Sequence, residues 1–213
     1  MIGGRFRRAL PAVALVLVLA SCSHGSSHGA ASTPTSAATR PPVLVTIGSD
    51  ATFGIGLDSP LTDSWPQKLY HRAFPESTVL VNAADRSVTV DRAAIAQVPL
   101  ALEEHATVVA VWLGDADLAA NFPASAFESN LNSLVEQLRN SGARVLLGNL
   151  SRQRPGAAAY DDAIARVARA RGATLVDLAS ALSASPRVLP GSSVNPTTSA
   201  LIADAFAAAF ARS

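Results

Sequence analysis

The chain has 213 residues, of which 49% are hydrophobic and 15% charged, with a single cysteine and a formal net charge of +1. This length suits one domain with additional segments, and the hydrophobic content excludes wholesale disorder. The low net charge argues against a strongly basic nucleic-acid-binding protein, so we expect no nucleic-acid partner. The single cysteine excludes a disulfide framework within the chain.

The N-terminal segment has the pattern of an export signal. Three arginines between positions 5 and 8 precede an apolar stretch of 12 residues, Ala9 to Ala20. This stretch is too short to cross a bilayer core of ~30 Å, but it suits the apolar part of a signal peptide. Residues 1–21 are therefore predicted to be a signal peptide.

The segment ends in Leu19-Ala20-Ser21-Cys22, which resembles the lipobox of bacterial lipoproteins. The resemblance implies cleavage before Cys22, lipidation of its thiol, for instance with palmitate, and attachment to the extracytoplasmic face of the cell membrane. Buried acyl chains contribute ~0.8 kcal/mol per CH₂ to such an anchor. The alternative is an ordinary secretory signal followed by an unrelated cysteine.

The mature chain would carry a different charge from the whole chain. Without the three arginines of the signal peptide, 14 basic and 16 acidic residues remain, a net charge of −2. Residues 22–42 are rich in Ser, Ala, Thr and Pro and are predicted to form a flexible tether. The remaining residues, 43–213, are predicted to form the folded domain.

The domain alternates short apolar strands with amphipathic helices. In chain order we predict a strand at 43–47, a helix at 65–74, a strand at 78–81, a helix at 90–98, a strand at 107–112, a helix from 125 to about 141, a strand at 145–147, a helix at 160–170, a strand at 174–178 and a helix at 196–211. Ser64 and Ser125 are the predicted N-caps of their helices, and Pro99 is the predicted helix stop. Continuously apolar strands separated by helices predict a three-layer α/β/α fold, flavodoxin-like, with a five-stranded parallel sheet.

Ligands of open α/β sheets bind beyond the carboxyl ends of the strands, so the segments that follow the strands matter most. Three such segments and the one before the last helix are Gly48-Ser49-Asp50-Ala51-Thr52-Phe53-Gly54, Asn82-Ala83-Ala84-Asp85, Gly114-Asp115-Ala116-Asp117 and Ser192-Ser193-Val194-Asn195-Pro196. In order and spacing they resemble the four motif blocks of the SGNH (GDSL-type) hydrolases. The resemblance covers residues from about 43 to 212 and implies the fold of that family.

The resemblance also implies which positions would carry catalysis. Asp50 stands at the serine nucleophile, Ala84 and Ala116 at the two oxyanion donors, Ser192 at the orienting aspartate and Asn195 at the histidine base. An asparagine cannot accept a proton near neutral pH, and loss of one oxyanion donor alone costs roughly 10²–10³ in rate. We therefore expect no catalytic residue, no cofactor and no metal.

This pattern favours a non-catalytic binding or accessory module for an envelope ligand or protein that the sequence does not identify. The candidate cleft residues are Ser49, Asp50, Asn82, Asp85, Asp115, Asp117 and Asn195. The four aspartates among them could instead form a cation site, although carboxylates that only support loops are the favoured interpretation.

Two other functions stay open. One is an esterase or acyl hydrolase acting on lipid or carbohydrate esters through Asp50 or Ser49. Ser49 would need a base, yet His71 is predicted inside a helix and His105 at the opposite edge of the sheet. The other is a scaffold of an envelope complex, in which the cleft plays no part.

Overall fold

The computed structural model describes residues 40–150, 154–183 and 193–213, which belong to one compact unit, Thr39–Ser213. The predicted signal peptide, Cys22, most of the predicted tether and Ser192 lie outside the described residues. No helix in the described ranges is both long and apolar enough to span a membrane.

Five parallel strands form the central sheet, in the order β2-β1-β3-β4-β5. They are β1 Val43–Gly48, β2 Val79–Asn82, β3 Val108–Trp112, β4 Arg144–Gly148 and β5 Thr174–Val176. Every residue of β1 and β3 is buried, as expected for central strands covered on both faces. The parallel register, with Leu44 opposite Val108, confirms the predicted sheet.

The helices of the described residues are α1 Asp50–Phe53, α2 Pro60–Asp63, α3 Trp65–Ala73, α4 Val90–Glu103, α5 Asp115–Ala119, α6 Ala124–Asn140, α7 Ala157–Arg171, α8 Leu178–Ser183 and α9 Pro196–Arg212. The longer ones form two packed groups: α4, α6 and α7 in one, and α3, α8 and α9 in the other. These groups cover the two faces of the sheet and confirm the predicted three-layer α/β/α fold.

An aromatic pair fills the core of each helix layer. The rings of Trp65 and Phe206 stack at 4.6 Å between α3 and α9, and those of Phe127 and Tyr160 lie 4.7 Å apart between α6 and α7. Such pairs add about 0.5–1.5 kcal/mol beyond the burial of their area. The first pair thus joins two helices that are distant in sequence, and the second joins two consecutive helices.

The structure corrects the expected end of the helix that begins at Val90. Pro99 does not stop it, because α4 continues to Glu103. Pro99 is on the exposed side, while Val98 and Ala101 are buried against the sheet. Packing of the apolar face therefore outweighs the ~3 kcal/mol that proline costs inside a helix.

The predicted start of the helix at Ser125 and the predicted end of the fifth strand at Leu178 were wrong. The predicted cap Ser64 stands at the right position but does not act as a side-chain cap. The carbonyl of Pro123 accepts the first helical hydrogen bond of α6, from Phe127 N–H at 2.9 Å, so Ser125 lies inside the first turn. Leu178 belongs to α8 rather than to a strand, because the Asp177 carboxylate accepts the Ser180 N–H at 3.1 Å and opens a helix. Ser64 does precede α3, but its side chain makes no cap hydrogen bond.

Candidate functional site

The candidate site lies where the strand order reverses, at the carboxyl end of β1 between β2 and β3. Gly48 ends β1 and is held by the buried side chain of Gln97 from α4. Gly48 N–H donates to Gln97 Oε1 at 3.0 Å, and Gln97 Nε2 donates to the Gly48 carbonyl at 3.0 Å. A Cβ at position 48 would come within 2.0 Å of Thr52 Oγ1, so only glycine allows this close turn.

Ser49 and Asp50 hold the loop that connects β2 to α4. Ser49 Oγ accepts the Val88 N–H at 3.0 Å, and Asp50 Oδ1 accepts the Ser87 N–H at 3.0 Å. Ser87 has a φ of 54°, a left-handed conformation that these bonds help to maintain. Ser49 is only 5% exposed. Both predicted cleft residues therefore act as hydrogen-bond acceptors for the backbone of this loop.

Asn82 organises the second segment. Its Oδ1 accepts the Thr46 hydroxyl at 2.9 Å and the Ala84 N–H at 3.2 Å, and its Nδ2 donates to the Thr52 carbonyl at 3.0 Å. The Ala84 N–H, at the position where the resemblance implies an oxyanion donor, is therefore already bonded within the protein. Asp85 follows as an exposed residue whose Oδ1 accepts the Arg86 N–H at 2.7 Å.

The third segment contains an ion pair that the sequence did not predict. The half-buried Asp115 carboxylate pairs with the guanidinium of Arg154. Burial raises the pKa of Asp115, Arg154 opposes that rise, and the negative charge of Asp50 adds to it. Asp50 and Asp115 are thus electrostatic neighbours at the end of the sheet, whereas Ala116 beside them contributes only a methyl group.

Asp117 is fully buried and has a structural role. Both of its carboxylate oxygens accept the Val90 N–H, at 3.1 and 3.2 Å, at the start of α4. Burial raises its pKa from 3.8 to about 6 although that hydrogen bond acts in the opposite direction. This placement agrees with the favoured interpretation of a carboxylate that supports a loop.

Asn195 is the N-cap of α9. Its Oδ1 accepts the Thr198 N–H at 2.9 Å, and Thr198 Oγ1 accepts the Asn195 N–H at 2.9 Å, which completes a capping box. The preceding Val194 donates its N–H to the Ile55 carbonyl at 2.9 Å, which joins this segment to the loop after α1. The asparagine at the position where the resemblance implies a histidine base therefore acts as a helix cap.

The structure brings some of the predicted cleft residues together and leaves others apart. Ser49, Asp50 and Asn82 meet around the loop after β2, and Asp115 lies near Asp50, whereas Asp85 is exposed and Asp117 is buried beneath α4. In the described ranges, no group of three or more His, Cys, Asp or Glu side chains could hold a metal ion.

Neither described histidine is placed to activate Ser49. His71 is exposed in the last turn of α3, where its ring meets Tyr70 edge-on. That end of α3 leads into the amino end of β2, and His105 just precedes β3, so both lie toward the edge of the sheet opposite Ser49.

Sequence reasoning missed Gln97 and the partner of Asp115. A buried amide on the apolar face of α4 is the signal that could have identified Gln97, because a buried polar side chain needs hydrogen-bond partners. No local signal pairs Asp115 with Arg154, because 38 residues separate them in the chain.

A sequence profile of the GDSL-like lipase/acylhydrolase family matches residues 46–197. No curated protein matches the chain. Among solved structures, a psychrotrophic esterase from Pseudoalteromonas sp. is similar, with 20% identity, a TM-score of 0.65, and coverage of 80% of this chain and 97% of its own.

Two further structures show the same fold. An α/β hydrolase enzyme from the metagenome of Lake Arreo, Spain, is 23% identical, with a TM-score of 0.66 and coverage of 80% of this chain and 95% of its own. A catalytic mutant of an acetylxylan esterase from Geobacillus stearothermophilus is 19% identical, with a TM-score of 0.63 and coverage of 80% and 93%. Because the family profile matches well over half of the sequence, the chain belongs to the GDSL-like lipase/acylhydrolase family.

Proposed function

We propose that this chain is a lipid-anchored cell-envelope protein whose SGNH-like domain binds a ligand or partner without hydrolysing it. The observation that carries the proposal is the residue found at the implied nucleophile position. Asp50 stands there, and its carboxylate accepts the Ser87 N–H at 3.0 Å as a support of the neighbouring loop.

The other groups that acyl transfer requires are missing or otherwise engaged. A general base must take the proton of the nucleophile, but position 195 carries an amide that caps α9. Oxyanion donors must point at the developing charge, but the Ala84 N–H donates to Asn82 and Ala116 has no donor in its side chain.

The framework of the site is intact, which supports binding over loss of all function. Gly48, Asn82 and Asp117 each hold a connection between a strand and a helix through hydrogen bonds at ordinary distances. Asp50 and Asp115 place carboxylates at the same edge of the sheet. A fold that keeps this edge ordered can present a binding surface at a topological switch point.

The proposal is tested by assaying hydrolysis of short acyl esters and labelling by a fluorophosphonate serine probe. We expect neither from the wild type, nor from the Ser49→Ala and Asp50→Ala variants. Wild-type turnover that Asp50→Ala removes would instead indicate a carboxylate mechanism, and turnover that Ser49→Ala removes would indicate that Ser49 is the nucleophile.

Restoring one group is not expected to restore catalysis. Asp50→Ser alone should stay inactive because Asn195 still cannot accept a proton and Ala116 still cannot donate, and such groups act as a unit. The combined change of Asp50→Ser, Ala116→Asn, Ser192→Asp and Asn195→His is the variant in which low activity could appear.

A further inference from the structure

A cavity beside the candidate site has the composition of an anion-binding site. It has a volume of about 300 Å³ and lies between the loop after β2 and the helix α4. Its lining includes Ala83, Asp85, Arg86, Ser87, Arg92 and Gln97. We propose that this cavity binds a singly charged oxyanion group, a phosphodiester or a carboxylate, of the ligand that the domain recognises. This inference rests on the proposed binding function and specifies its ligand chemistry.

The two arginines of the cavity are among the seven of the twelve described Lys and Arg residues that form no ion pair with a described carboxylate. Within the described residues, Lys68, Arg72, Arg154, Arg166 and Arg171 each form an ion pair with a carboxylate. Neither Arg86 nor Arg92 forms an ion pair in that part of the chain. Both are exposed, and both line the same cavity.

The acids near the cavity accept hydrogen bonds from donors other than the guanidinium groups, although the positive charge of Arg92 also helps to lower the pKa of Asp91. Asp85 Oδ1 accepts the Arg86 backbone N–H at 2.7 Å, and the Asp91 carboxylate accepts the hydroxyl of Thr89. Of the charged residues that line the cavity, two are arginines and one is Asp85, which leaves one net positive charge. Guanidinium groups bind planar or tetrahedral oxyanions through paired N–H donors, so one negative charge suits this lining.

The walls of the cavity are fixed by hydrogen bonds from the end of β1 and the segment that follows it, which includes Asp50 at the implied nucleophile position. Ser49 and Asp50 hold the Val88 and Ser87 N–H groups, and Gln97 is held by both backbone groups of Gly48. A wall that is already ordered loses little entropy when a ligand binds. The nucleophile position therefore has a use in a non-catalytic protein, because it shapes the wall of a neighbouring anion site.

The test is a titration of the ¹⁵N-labelled full-length protein with dimethyl phosphate, and separately with acetate, followed by NMR. We expect saturable shifts of the amide signals of Ser87, Val88 and Arg92. The anion that binds more tightly distinguishes a phosphodiester from a carboxylate ligand. The variant with Arg86→Gln and Arg92→Gln should bind at least roughly tenfold more weakly, because each lost charge-assisted hydrogen bond accounts for about that factor.

Arg169→Gln is the matched control. Arg169 is an exposed arginine at the end of α7, far from the cavity in the fold, and its replacement removes one positive charge, as each single substitution of Arg86 or Arg92 does. It should bind both anions like the wild type. The two single variants carry the test if the double variant does not fold.

Unchanged affinity in the arginine variants, or the absence of saturable shifts around Ser87, would overturn the anion site. Ester hydrolysis by a protein that still binds the anion through Arg86 and Arg92 would overturn only the proposed non-catalytic function. The two proposals can therefore fail separately.

Discussion

Asp117 is fully buried and has a raised pKa, so the ionised form of its carboxylate destabilises the folded protein. In the folded state its pKa is about 6, compared with 3.8 for an ordinary aspartate. The folded protein therefore binds more protons than the unfolded chain between these values, and stability falls as the pH rises through that window. A difference of this size corresponds to about 3 kcal/mol at neutral pH.

We expect Asp117→Asn to remove this pH dependence. The asparagine keeps an acceptor for the Val90 N–H but carries no charge to be desolvated. Urea unfolding of both proteins from pH 4 to pH 7 measures the free energy of unfolding. The wild type should lose stability relative to the variant as the pH rises, and a constant difference across the range would contradict the raised pKa. Comparing the two proteins cancels the contribution of Glu128, whose pKa is lowered by its pair with Arg166. The charges of Asp91 and Asp115 help to raise the pKa of Asp117, so their effect on it is part of the measured difference.

Besides its apolar packing, α4 is hydrogen-bonded to β1 through the side chain of Gln97. Gln97 is 2% exposed and makes two hydrogen bonds to the backbone of Gly48. Replacing it with alanine leaves a buried N–H and a buried carbonyl without partners, each at a cost of about 1–3 kcal/mol. We expect Gln97→Ala to lower the free energy of unfolding by about 2–4 kcal/mol.

Gln137→Ala is the control for that change. Gln137 is an exposed glutamine of α6 whose amide donates to the Ser133 carbonyl at 3.2 Å within the same helix. Its replacement should change the free energy of unfolding by no more than about 0.5 kcal/mol. Equal effects of the two substitutions in chemical denaturation would show that Gln97 does not join α4 to the sheet.

Elements with strong patterns could be predicted from the sequence, and short ones could not. The strands are continuous apolar runs rich in β-branched residues, and the helix Ala124–Asn140 has a clear helical periodicity, so their positions were predicted to within a few residues. Helices α1, α2, α5 and α8 have four to six residues, too few for a periodic pattern. They form because tertiary contacts and caps stabilise them, as Asp177 does for α8.

The candidate site was likewise predictable from the sequence in part. Its positions followed from the order of the strands, because parallel strands place their carboxyl ends at one edge. The partners of its side chains did not follow, since Ser49 and Asp50 bond to backbone groups almost 40 residues away. Such bonds depend on the path of a loop, and loop paths leave little periodic signal in a sequence.

The first hydrogen bonds of the sheet lie at the predicted junction of tether and domain, residues 42 and 43. The Pro42 carbonyl accepts the Val79 N–H at 2.9 Å, and Val43 N–H donates to Thr107 Oγ1 at 3.0 Å. The sheet thus begins to pair about 20 residues after Cys22. A tether of that length in a flexible coil would reach on the order of 25 Å. Lipidation at Cys22 would then hold the domain close to the membrane while leaving it free to turn.

Lipidation at Cys22 is a prediction with a direct test. Cys22→Ala should abolish metabolic labelling with a palmitate analogue, because position 22 holds the only thiol of the chain. The variant should also remain as uncleaved precursor or leave the membrane fraction, because without the thiol it carries no acyl chain to anchor it. Ser23→Ala, the neighbouring change, should be labelled and fractionate like the wild type. Label that persists in the Cys22→Ala variant would refute the lipobox interpretation, and a cleaved but unlabelled wild type would indicate an ordinary secretory signal.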